Sequence, residues 1–128
     1  MNDTVTFSFP AKTEYIPAIR LAVSGIASHL DMDVLQIENM KSCITESCML
    51  LICSQSCNTF NITINITDDS VDFSVRGQDA EKIAGCRGCM EFNAELAKMM
   101  IRTMSTYSEL VRNDFGALTQ VIFRISSI

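Results

Sequence analysis

The sequence predicts an α+β domain: a two-layer α/β sandwich with a mostly antiparallel sheet and its helices grouped on one face. Three observations predict it. Short stretches alternate apolar and polar residues, the period of half-buried strands. Longer stretches repeat apolar residues at helical spacing. The resulting order, β-α-α-β-β-α-β-β, pairs strands in hairpins instead of alternating each with a helix, which favours an antiparallel sheet covered on one side.

The elements follow in order. Thr4 to Phe9 places Val5, Phe7 and Phe9 on one face and Thr4, Thr6 and Ser8 on the other, and Pro10 ends the strand. Thr13 is suited to cap a helix whose first turns tolerate Pro17, with Ile16, Ile19, Val23, Ile26, Ala27 and Leu30 on its apolar side. Asp33 and Gln36 have the spacing of a capping box and open a second helix, Asp33 to Ser56. Its apolar positions include Ile37, Met40, Ile44, Cys48, Leu51 and Ile52, and its second half is apolar nearly all round, as a buried central helix is. Phe60, Ile62, Ile64 and Ile66 alternate with polar residues, Asp68-Asp69-Ser70 turns, and Val71, Phe73 and Val75 return. Residues 77–90 hold Gly77, Gly85 and Gly88 and read as a loop with one short helix. Glu91 to Met104 is helical, with Phe92, Leu96, Met99, Met100 and Thr103 sharing a face, and Met99, Met100 and Met104 read as core packing. Tyr107 to Arg112 and Leu118 to Ile125 form a last hairpin turning near Asn113 to Gly116.

The 128 residues fit one domain. A chain of this size buries roughly two-thirds of its unfolded surface. A net charge of -5 without a basic stripe argues against nucleic acid as partner. No apolar run approaches the roughly 18 residues of a membrane span, and Met1 to Phe9 lacks the pattern of a leader. A cytoplasmic setting is therefore expected, and with it no disulfide framework among Cys43, Cys48, Cys53, Cys57, Cys86 and Cys89. Cys86-Arg87-Gly88-Cys89 is a C-x-x-C that Cys53 and Cys57 could extend to a zinc or iron–sulfur site. The second pair is too widely spaced and lies at an apolar helix end. The cysteines are read as structural, no metal is expected, and a metal or redox sensor is the weakest alternative.

Two segments carry a family resemblance. Phe9-Pro10-Ala11-Lys12-Thr13-Glu14-Tyr15-Ile16-Pro17-Ala18-Ile19-Arg20, continuing to Ala27, resembles the first strand end and first helix of bacterial anti-sigma factor serine kinases of the RsbW and SpoIIAB type. Ile37-Glu38-Asn39-Met40-Lys41 followed by Ile44-Thr45-Glu46-Ser47-Cys48 resembles their second-helix entry. The likeness is best over residues 7–55 and implies the GHKL ATPase fold, shared with gyrases, heat-shock chaperones and histidine kinases.

The resemblance places Glu46 where these kinases have their catalytic base. Four residues later, where they have a magnesium-binding asparagine, stands Leu50, which coordinates nothing. Their Asp-x-Gly-x-Gly box, whose aspartate binds adenine, is matched only by Val75-Arg76-Gly77-Gln78-Asp79. Asp79 could serve only after a shift of two residues. Their second glycine box, which lets backbone amides approach phosphate, is matched by Asn93-Ala94-Glu95-Leu96-Ala97-Lys98. Leu50, Gly77 and Asp79 thus mark a degenerate nucleotide site. Glu46 is read as a relic base or as an ordinary helix carboxylate, and Arg20 as a partner anchor or a solvated helix residue. His29 reads as a helix-end residue.

The expectation is a regulator of transcription that binds a sigma factor or a STAS-type anti-anti-sigma protein, without a cofactor. A homodimer is left open. The rival is an active ATP- and Mg-dependent serine/threonine kinase.

Overall fold

A computed structural model describes residues 2–54, 58–78 and 92–126. Among the described residues, five strands and three α-helices form the two-layer sandwich that the sequence predicts, and the short helix expected within residues 77–90 lies largely outside them. Strand β1 (Asp3–Pro10) leads through a single 3-10 turn, Thr13–Tyr15, into α1 (Ile16–Ala27) and α2 (Val34–Ser54). Strands β2 (Thr59–Ile66) and β3 (Ser70–Gln78) follow, then α3 (Ala94–Met104), β4 (Tyr107–Arg112) and β5 (Leu118–Ser126). The sheet order is β1-β2-β3-β5-β4, and every neighbouring pair is antiparallel. Strand β4 thus runs at the edge, and β5 returns between it and β3.

The alternation along the strands decides which face is covered. Phe60, Ile62 and Ile64 of β2, Val71, Phe73 and Val75 of β3, and Val121, Phe123 and Ile125 of β5 all point into the core. Full burial of such side chains stabilises by about 1.5–3 kcal/mol each. Phe73 and Phe123 are register partners, and their rings stack at 4.6 Å and 11°. The opposite face is polar and ties the strands by side-chain pairs. Thr4 donates to Asn65 at 2.8 Å, and Gln120 donates to Ser74 at 2.5 Å. Arg124 bonds both carboxylate oxygens of Asp72, at 2.6 and 3.1 Å.

Helix α2 is the central helix, packed between α1 and α3 and over β3 and β5. Its start is the expected capping box: Gln36 N–H donates to Asp33 Oδ1 at 2.7 Å, and Asp33 N–H donates to Gln36 Oε1 at 2.8 Å. Met40, Cys43, Ile44, Ser47, Cys48, Leu50 and Leu51 are buried along it. Ser47 is satisfied by donating to the Cys43 carbonyl at 2.7 Å.

Four expectations are corrected. Thr13 does not cap α1; it begins the 3-10 turn, and α1 has no side-chain cap. Gly77 lies in a strand, paired with Phe60, because β3 runs on to Gln78. Helix α3 turns a different face inward. Ala97 and Ile101 are buried, Leu96 is exposed, and Met99 is 58% exposed. Small Ala97 permits a close approach to α2 that a methionine there would prevent. Finally, Cys53 is disulfide-bonded, against the expectation of no disulfide framework. Cys43 and Cys48 are buried and lie outside any disulfide.

Candidate functional site

Helix α2 positions the first group of candidate residues. Glu46 is half-buried on it, and burial raises its carboxyl pKa above the ordinary range. Cys43, three residues earlier, is fully buried; burial first and the Glu46 charge second push its thiol up to about 12. The Glu46 carboxyl therefore holds its proton more readily than it would in water, and the Cys43 thiol is a poor source of thiolate. Leu50, one turn after Glu46, is 3% exposed and belongs to the main core. An apolar side chain packed there offers a cation no ligand.

The start of α3 is the second part. Asn93 is its N-cap, and its side-chain oxygen accepts from Leu96 N–H at 3.0 Å. Ala97 N–H donates to the Asn93 carbonyl at 3.1 Å. Glu95 stands in the first turn, where a carboxylate already complements the helix dipole. The amides that would face an anion are thus partly engaged by the chain itself, and Glu95 repels a second negative charge. Gly77 marks the β3 end of the region, whereas Asp79 lies outside the described residues, as do Cys57, Cys86 and Cys89. The described structure thus brings Glu46 and Leu50 onto one helix and does not test the glycine-box aspartate or the C-x-x-C. Among the described residues, no group of three or more His, Cys, Asp or Glu side chains is placed to hold a metal.

Arg20 sits on the other side of the helical layer. Ile16, Ile19, Val23 and Ala27 bury one side of α1, which leaves Pro17, Ala18, Leu21 and Gly25 exposed. Arg20 lies at the margin, half-buried, and donates from Nη1 to Thr45 Oγ1 of α2 at 2.6 Å. Sequence reasoning missed Thr45, since nothing in the local pattern joins residues 25 positions apart. His29 is exposed in the turn after α1. It lines a cavity of about 300 Å³ with Asp3, Asp31 and Asp68, away from Glu46 and Arg20.

No family model matches the chain. Individual proteins do. Over 78 residues, 59% of this chain, it is 28% identical to the serine-protein kinase RsbW of Halalkalibacterium halodurans, of which the match covers 48%. The chain is RsbW-like over part of its length. It is 41% identical over 51 residues to RsbW of Bacillus pumilus, covering 38% of this chain and 32% of that protein. With RsbW of Listeria monocytogenes serotype 4a it shares 40% identity over 47 residues, 37% of this chain and 30% of that one. Each match spans less than half the length of its RsbW relative. No helix among the described residues is long and apolar enough to cross a membrane.

Proposed function

We propose that the chain is an RsbW-like anti-sigma regulator that works by binding protein through α1, with its nucleotide chemistry lost. The observation that carries the reading is the outer side of α1. That helix reads IPAIRLAVSGIA, so Arg20 is its only charge. Beside Arg20, Leu21 is 74% exposed. An arginine that is the sole charge of its helix, beside an exposed aliphatic side chain, suits an interface anchor. The partner class, a sigma factor or a STAS-type protein in the cytoplasm, follows from the RsbW likeness. Loss of ATP and magnesium binding is supported by Leu50 in the core and by Asn93 and Glu95 at the start of α3.

One observation favours the rival, a working serine kinase: Glu46 is retained, and burial raises its carboxyl pKa above the ordinary value. The deciding experiment pairs two measurements on the purified chain. The first is binding to the sigma factor or STAS protein encoded beside its gene, with Arg20→Glu and Leu21→Asp as probes. The second is phosphate transfer from ATP to that STAS protein. Binding that both substitutions abolish, without transfer, supports the regulator. Transfer that Glu46→Gln abolishes replaces it with the kinase.

A further inference from the structure

The hydroxyl of Thr45 has two partners, and together they fix what it does. It donates its hydrogen to the Lys41 carbonyl one turn back, at 2.8 Å. Its oxygen is left as an acceptor, and Arg20 Nη1 fills that role at 2.6 Å. The chain of bonds runs in one direction: guanidinium to hydroxyl to helix carbonyl. The back-bond to Lys41 selects between the two χ1 rotamers open to a helical threonine, so the oxygen that meets Arg20 is itself held in place.

The charge balance at this seam matters as much as the geometry. Lys41 is ion-paired with Glu38 at 3.1 Å, so its charge is locally offset. Arg20 has no carboxylate within ion-pair distance among the described residues. It is held by a neutral group. A carboxylate in place of Thr45 would immobilise the guanidinium equally well but would consume its charge. A hydroxyl fixes the side chain and leaves the charge and most of its five N–H donors available.

We propose that Thr45 is the positioning residue for Arg20, holding the guanidinium ready for a carboxylate of a protein partner. The proposal rests on the reading of α1 as the partner surface. Without Thr45 the arginine must be ordered at the moment of binding, which costs about 0.5–1.5 kcal/mol per immobilised side chain, a two- to tenfold loss of affinity.

Thr45→Val keeps the shape and removes the hydroxyl, and Thr45→Ser keeps the hydroxyl. Two readouts are taken on both variants and the parent. The first is the side-chain 15N spectrum of Arg20, which reports its order without any partner. The second is the dissociation constant for the sigma factor or STAS protein encoded nearby, measured at low and high salt. The expected result is Arg20 ordered in parent and Ser variant and mobile in the Val variant, with binding about two- to tenfold weaker in the Val variant alone. A Val variant in which Arg20 is as ordered as in the parent overturns the positioning role. An Arg20 mobilised in the Val variant with unchanged affinity also overturns it, since the ordering then serves only the α1–α2 seam. A parent that shows Arg20 ordering but binds neither protein removes the partner reading itself, a failure separate from the first.

Discussion

Asn93 accepts a hydrogen bond from the Leu96 N–H at 3.0 Å, so the first turn of α3 is closed by a side chain of its own chain. That bond satisfies one of the donors a helix start leaves open. Asn93→Ala is expected to cost about 1 kcal/mol of stability, and Asn93→Gly only a few tenths. Denaturant unfolding measures both. An alanine variant as stable as the parent would show that the cap contributes nothing.

Titration of the chain with ATP and magnesium by calorimetry is expected to give no saturable heat. Leu50, Asn93 and Glu95 each work against the site in a different way: no metal ligand, partly engaged amides, and like charge. A micromolar dissociation constant, about -8 kcal/mol, reverses this conclusion.

Leu50→Asn is expected to destabilise without creating activity. The buried amide loses about 1–3 kcal/mol if it finds no partner, in addition to the apolar burial lost. Leu50→Ala provides the control and costs about 2–5 kcal/mol, through the cavity it leaves. If Leu50→Asn melts with the parent, the position is not in the core.

Glu46 gives a dependence on pH with a definite sign. Its folded pKa lies above the ordinary value of 4.5, so the folded state holds the proton more tightly than the unfolded chain does. The stability linked to this proton is full below about 4.5 and declines as pH rises through the raised folded value. Glu46→Gln should therefore be more stable than the parent near pH 7, with the gap closing as the pH falls below 4.5. Melting curves across that range test it. A gap that widens on acidification contradicts the direction of the shift.

Cys43 should resist alkylation in the folded protein. It is inaccessible, and with a thiol near 12 almost none is thiolate at pH 8. Site-resolved mass spectrometry after iodoacetamide should find Cys43 and Cys48 modified only once denaturant is added. Rapid labelling of Cys43 in buffer would place it at the surface.

Much of this fold is legible in the sequence because its strands alternate cleanly. Phe60 to Ile66 and Val71 to Val75 could bury only one face, and the structure buries that face. The Asp33 and Gln36 capping box is legible for the same reason: both ends of the interaction lie three residues apart. Leu50 is legible too, since the second half of α2 is apolar on nearly every side. The face of α3 is not. Ala97 and Ile101 form one stripe at helical spacing, and Leu96, Met99 and Met100 form another. The choice between them depends on the shape of α2, which a local pattern does not carry. The Arg20–Thr45 bond and the Cys53 disulfide are illegible for a related reason: each is a product of tertiary placement.

Leu50 also shapes which evolutionary routes are open. A change from Leu50 to asparagine puts an amide among hydrocarbon before any ligand is there to reward it. Natural domains hold only a thin margin of stability, so such an intermediate is removed by misfolding first. Placing a polar side chain there needs compensating changes around it to arrive beforehand. Position 50 is therefore held by its neighbours: exposed positions of this domain can change one at a time, whereas this point in its core can change only together with what surrounds it.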